Sequence, residues 1–166
     1  MKLKTLVIVS AFALVLGATG VSAFTTASLE RDVSVSVTSD SAGVVGLTPG
    51  EGTELDSSEL VINAEDESLN VDGEFVFGDN TDPQTSNAFV VTNNDDTAHN
   101  FTFTHNGPGS VTYTVHDGNG NSQTATNGGS TTFNDVAAGD SLYVVVEVST
   151  PDSPTTESGS LTIDAE

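Results

Sequence analysis

Ser141-Leu142-Tyr143-Val144-Val145-Val146-Glu147-Val148 decides the fold of this chain. β-Branched and aromatic side chains fill it, as strand propensity prefers. Ala138-Gly139-Asp140 ahead of it is a turn signal. A strand this apolar belongs at the centre of a sheet.

Outward from it, the period is two almost everywhere. Asp32-Val33-Ser34-Val35-Ser36-Val37, Asn100-Phe101-Thr102-Phe103-Thr104 and Val111-Thr112-Tyr113-Thr114-Val115 alternate polar and apolar residues, as half-buried strands do. Glu59-Leu60-Val61-Ile62 and Glu74-Phe75-Val76-Phe77 are short strands. Ala88-Phe89-Val90-Val91-Thr92 is a continuous apolar run, and Leu161-Thr162-Ile163 closes the chain. Turn signals separate them at Pro49-Gly50, Asp72-Gly73, Asn119-Gly120 and Asn127-Gly128-Gly129. A further one, Asn106-Gly107-Pro108-Gly109, predicts a hairpin joining the Phe101 and Tyr113 strands. That register puts His105 on the apolar side with Phe101 and Phe103, and His116 on the face opposite Val115. Thr48 to Ser58 and Ser149 to Ser158 read as loops. No window after the leader has a helical period. The sum is an all-β fold: an antiparallel β-sandwich, Ig-like or jelly-roll-like, forming a single domain over residues 24–166.

The leader is residues 1–23. Met1-Lys2-Leu3-Lys4 is a basic start, Leu6 to Leu16 is apolar, and Val21-Ser22-Ala23 closes on small residues. That is the layout of a secretory signal peptide cut after Ala23. The alternative is an uncleaved anchor, although the apolar core is shorter than the ~20 residues that span a bilayer. There is no Cys, so an exported chain without disulfides must hold together by burial.

Beyond the leader one basic residue, Arg31, faces 24 carboxylates, a net charge of 1 − 24 = −23. Self-repulsion of that size opposes the compact state unless it is screened. The Debye length falls from about 10 Å at 0.1 M salt to about 3 Å at 1 M. The carboxylates run from Glu30 to Glu166 without forming a block, which fits adaptation of the whole surface to high salt better than a patch for a basic partner. Regular apolar alternation argues against an acidic disordered tail. Nucleic acid and anionic lipid are repelled.

Few constellations carry chemistry. Gly139-Asp140-Ser141-Leu142 spells the opening block of a serine esterase family, but no His follows it to serve as base. His99, His105 and His116 do not converge in the expected register and read as lone surface or strand-end residues. Asp117-x-Asn119-x-Asn121 imitates the first half of a calcium loop; Ser122 and Gly128 stand where the helical version needs Gly and Glu. Asp117, Asn119 and Asn121 are thus weak metal candidates beside the plainer reading of a hairpin turn. Glu65-Asp66-Glu67 and Asp95-Asp96 read as solvated loop charge. Asn100-Phe101-Thr102 is the single N-glycosylation sequon, with Asn100 pointing outward if Phe101 points inward.

Gly20-Val21-Ser22-Ala23-Phe24-Thr25, then Glu30-Arg31-Asp32-Val33-Ser34-Val35-Ser36-Val37, then Asp40 through Gly46-Leu47, resembles the start of a haloarchaeal family of short secreted proteins of unknown function. The resemblance implies a cell-surface β-sandwich and no activity. More distantly the chain is similar to the TasA and camelysin group of secreted fibre subunits. In those, the resemblance implies, the new N-terminus is an extended strand that completes the sheet of the next subunit. Phe24 to Val37 would be that assembly strand here, with Phe24, Val33, Val35 and Val37 as its apolar positions and Arg31 its only cation. The alternative is pairing of the same strand within its own domain.

The expected function is therefore that of an exported, halophilic cell-surface protein, structural or adhesive, a fibre or matrix subunit assembling by N-terminal strand addition. The competing class is a monomeric binding module for carbohydrate or divalent cations, using loops such as Asp117–Gly129 and Glu51–Glu67. No enzyme, no cofactor and no nucleic acid partner is expected. The partners would be further copies of the chain or other cell-surface proteins, outside the cell.

Overall fold

The computed structural model describes residues 35–36, 43–56, 59–62, 73–150 and 159–166. The leader, Phe24, Arg31, Val33, Val37 and the Glu65–Glu67 run lie outside the described residues. The strands are β1 (Val35–Ser36), β2 (Val45–Pro49), β3 (Thr53–Asp56), β4 (Glu59–Ile62), β5 (Glu74–Phe77), β6 (Phe89–Asn93), β7 (His99–Asn106), β8 (Val111–Asp117), β9 (Ser122–Ala125), β10 (Ser130–Val136), β11 (Ser141–Ser149) and β12 (Gly159–Ala165). No helix occurs among the described residues.

Two sheets pack face to face as an all-β sandwich. One has the order β1-β12-β7-β10, the other β2-β6-β11-β8-β9 with β5 also on β11, and β3 and β4 form a separate ribbon. The described pairs are antiparallel except β1 with β12. As its composition requires, β11 is the centre of its sheet. β8 runs along one edge from Leu142 to Val148. On the other edge β6 pairs with Ser141 to Val144, and β5 with Val146 to Ser149.

Alternation sets what is buried. Leu142, Val144, Val146 and Val148 of β11 meet Phe101 and Phe103 of β7, Leu161 and Ile163 of β12, and Tyr113 and Val115 of β8 in one core. Phe89, Phe101 and Phe103 are fully buried, and burial of each such side chain stabilises the fold by about 1.5–3 kcal/mol. Val145 points to the other face of β11 and is buried as well. The Asp79–Asn87 loop is tied to that face: Asn80 Nδ2 donates to Glu147 Oε1 at 2.8 Å, and Gln84 Nε2 donates to the Gly118 carbonyl at 3.1 Å.

Three expectations are corrected. Asn106–Gly109 does not close a hairpin, because β7 and β8 belong to different sheets. Two strands facing each other across a core show the same alternation as two strands paired side by side, and sheets about 10 Å apart are within reach of a four-residue connection. Thr48–Ser58 is not all loop; it holds the end of β2 and all of β3. His105 is neither at the surface nor at a frayed strand end, but fully buried beside Phe103.

Candidate functional site

The two rims of the sandwich differ. At one, the outermost strands β9 and β10 of opposite sheets meet. Gln123 of β9 donates from Nε2 to the Thr132 carbonyl at 3.0 Å and accepts from Thr131 Oγ1 at 2.5 Å. A side chain thus occupies one main-chain acceptor of the β10 edge.

At the other rim stands β12. Asn100 and Glu166 exchange both backbone bonds, at 2.8 and 3.0 Å. Bonding direction alternates along an antiparallel strand, so Ser160, Thr162 and Asp164 face β7, in step with Glu166. The N–H and C=O groups of Leu161, Ile163 and Ala165 point away from the sheet. β1 covers only the start of this edge, with Val35 opposite Gly159 and Ser36 opposite Ser160 in parallel register. The parallel pairing of Ser36 with Ser160 uses the outward N–H of Leu161; among the described residues nothing pairs with the outward groups of Ile163 and Ala165. Of the assembly-strand residues, Val35 is therefore placed on the β12 edge of its own chain, and the others lie outside the described residues.

A cleft of about 350 Å³ opens at one end of the sandwich. Asp117, Asn119, Asp135, Asp140, Ser141 and Tyr143 line it, over Phe133, Val136 and Leu142. Asp117 is largely consumed by its own turn: Oδ1 accepts the N–H groups of Asn119 and Asn121, and Oδ2 accepts Asn121 Nδ2 at 2.7 Å. Burial raises its pKa, but these bonds from Asn121 and Asn119 outweigh it and hold the carboxyl below the usual value. Asp117, Asn119 and Asn121 thus cap the β8–β9 hairpin. Among the described residues no group of three or more His, Asp or Glu is arranged to hold a metal ion.

Asp135 has a left-handed backbone, φ 56°, which Asp tolerates better than most residues. It sits in the bulge between Phe133 and Val136, and its N–H donates to Asn100 Oδ1 at 3.0 Å. Asn100 is exposed. This bond fixes its side chain through the oxygen, and among the described residues nothing bonds the nitrogen, the atom a glycan would join. Ser141 Oγ shares a hydrogen bond with Thr92 Oγ1 at 3.0 Å, an ordinary cross-strand contact.

Sequence reasoning missed Asn93, which is fully buried. Its Nδ2 donates to the Thr97 and Val136 carbonyls, and its Oδ1 accepts the Asp95 N–H. This fixes the turn in which His99 Nε2 lies 2.6 Å from Asp95 Oδ2. His99, helped by the Asp96 N–H and the Thr97 hydroxyl, holds the Asp95 carboxyl down to about 2. The Asn93-Asn94-Asp95 triplet, directly after an apolar strand, was the available signal. His116, held 2.8 Å from Asn80 Oδ1, points to the outer face of β8 and does not meet His99 or His105.

No family model matches the chain, and neither a curated protein nor a solved structure matches it. No helix among the described residues is long and apolar enough to cross a membrane.

Proposed function

We propose that this protein is an exported cell-surface component of a halophile, structural or adhesive, that assembles by adding the N-terminal strand of one copy to the sheet of the next. The observation that carries this reading is the main-chain edge at Ile163 and Ala165, unpaired among the described residues. Strand addition needs such an edge, together with pockets for alternate side chains. The in-chain pairing of Val35–Ser36 lies on the same edge, where a donor strand would bind. Arg31 is its only cation, and an ion pair at molar salt would add little. An N-linked glycan on Asn100 would suit an exported protein, since the side chain is exposed.

Negative-stain microscopy of the mature chain in molar KCl tests the reading. Filaments are expected, and they should disappear on deletion of Phe24 to Glu30. Ala165→Pro removes one outward N–H from the acceptor edge, where proline is tolerated, and should abolish filaments with little change in melting temperature. Monodisperse single particles throughout would overturn it.

The cleft supports a second reading, a monomeric binding module for carbohydrate or divalent cations. Its volume lies at the small end of the range for small-molecule sites, about 300–1,000 Å³. A rise in melting temperature with calcium or a simple sugar, in a chain that stays monomeric, would favour it.

A further inference from the structure

His105 is fully buried, and neither ring nitrogen has a hydrogen-bond partner. Buried polar groups are almost always satisfied, so an exception asks for a reason. The ring lies edge-on to Tyr113, with centroids 4.9 Å apart and planes at 76°. Its residue faces Leu161 of β12 across the sheet. Above it two glycines touch. A Cβ on Gly107 would come 2.9 Å from His105 Nε2 and 2.8 Å from Gly159 Cα; one on Gly159 would meet Gly107 Cα at 2.8 Å and Pro108 Cδ at 2.9 Å. Only glycine fits at either position, and together they form a thin cover over Nε2. The arch is held by the Ser160–Asn106 pair at the end of the β7–β12 ladder, by the Val111 N–H donating to the Pro108 carbonyl at 3.2 Å, and by two long side-chain bonds. The Gly107 N–H donates to Asn127 Oδ1 at 3.2 Å, and Ser160 Oγ donates to the Asn106 carbonyl at 3.5 Å. Gly159 and Ser160 are also the residues on which β1 rests.

We propose that His105 is an acid-sensitive latch: protonation of its ring opens the Asn106–Gly109 arch and frees the first residues of β12, and with them β1. A charged imidazolium cannot remain in this apolar site without a partner. Gly107, against Nε2, is partly exposed, while Tyr113 beside the ring and Leu161 opposite it are buried. Tyr113 of β8 is the titratable side chain against the ring, and burial raises its pKa so that it stays neutral. Asp164 of β12 is exposed and opposite Thr102, and Asp135 of β10 is exposed. Asp117 and His116 lie at the far end of β8, opposite Leu142 and Tyr143. None of these compensates a charge on the ring, and burial alone lowers its affinity for a proton. The latch rests on the sandwich and not on assembly by strand addition, but it acts at the seam that such assembly would use.

The sign follows from linkage. The open state takes up a proton near the ordinary value of 6.5, whereas the closed state resists it. Closure is therefore strongest above that pH and weakens below it, by about tenfold between pH 7.5 and pH 5.5. Hydrogen exchange of the mature chain in molar KCl, read by mass spectrometry and corrected for intrinsic rates, measures this. Light scattering run alongside separates opening from disassembly. Peptides covering 105–111, 159–161 and 35–36 should lose protection about tenfold at the lower pH, while Val144–Val146 stays protected. His105→Leu should remove the pH dependence. A wild-type seam indifferent to pH, an equal loss in every strand, or persistence of the effect in His105→Leu would each overturn the proposal. Should His105→Leu not fold, NMR titration of the wild-type ring decides: a His105 signal titrating at 6.5 with no change at Gly107 or Gly159 also overturns it.

Discussion

The two rims of the sandwich solve one problem in different ways. An outermost strand exposes unpaired N–H and C=O groups that invite another chain. At the β9–β10 rim, Gln123 satisfies the Thr132 carbonyl and accepts from the Thr131 hydroxyl. At the β12 rim, two residues of β1 cover the edge from Gly159 to the N–H of Leu161, and among the described residues Ile163 and Ala165 face outward unpaired. One polar side chain reaching between sheets takes a main-chain acceptor of the first rim; at the second the partner is a main chain. That difference marks β12, and not β10, as the place to look for assembly.

Withdrawing salt challenges both rims at once and has the largest expected effect. With its charge of −23 unscreened beyond the leader, the domain should lose its cooperative fold at a few tens of millimolar KCl, where the Debye length exceeds about 10 Å. Circular dichroism over a KCl series reads this. An unchanged melt in dilute buffer would remove the halophilic reading of the surface.

Leu161→Ala sharpens the contrast from inside the open rim. Leu161 is fully buried in the common core, so truncation should destabilise the fold by about 2–5 kcal/mol in denaturant melts at molar salt. A cost below that range would mean that β12 is loosely seated over its whole length. Gln123→Ala tests the sealed rim. It removes two hydrogen bonds at an exposed residue and should destabilise by about 1 kcal/mol. Its more telling result is a new tendency to self-associate, visible by light scattering, once the Thr132 carbonyl is bare. If self-association does not rise, the seal is not what protects β10.

The smallest expected effect concerns the Asp95 turn, remote from both rims. Its carboxyl is depressed from 3.8 to about 2 in the folded chain. The stabilisation is complete above the unfolded value and is lost as pH falls through about 2. Asp95→Asn should therefore melt slightly below the wild type at neutral pH and match it at about pH 2. A difference that survives at that acidity would assign the turn's stability to Asn93 alone.

The strongest strand signals in the sequence lie near the centre of the core. β6, β7, β8 and β11 bury apolar residues at alternate positions between paired neighbours, and the pattern is dense enough to see. Ser122-Gln123-Thr124-Ala125 and Ser130-Thr131-Thr132-Phe133 were missed as strands. They lie at the sheet margins, where one inward Ala125 or Phe133 suffices and Ser and Thr fill the rest. Asp117, Asn119 and Asn121 close their turn for a local reason: Asx side chains bond their own backbone. The cleft beside them joins residues from β8, β10 and β11, and no local pattern announces it.

The sequence by itself determined the period of two, the acidic surface, the leader pattern and the inward face of each central strand, including the side on which His105 lies. These are properties of neighbouring residues. Only the tertiary structure decided that β7 and β8 face each other across the core, that Gln123 bridges the β9 and β10 edges, and that His105 lies without a partner beneath Gly107 and Gly159. Sheet membership and edge exposure depend on contacts between residues far apart in the chain, and an alternating strand presents the same apolar face whichever sheet it joins.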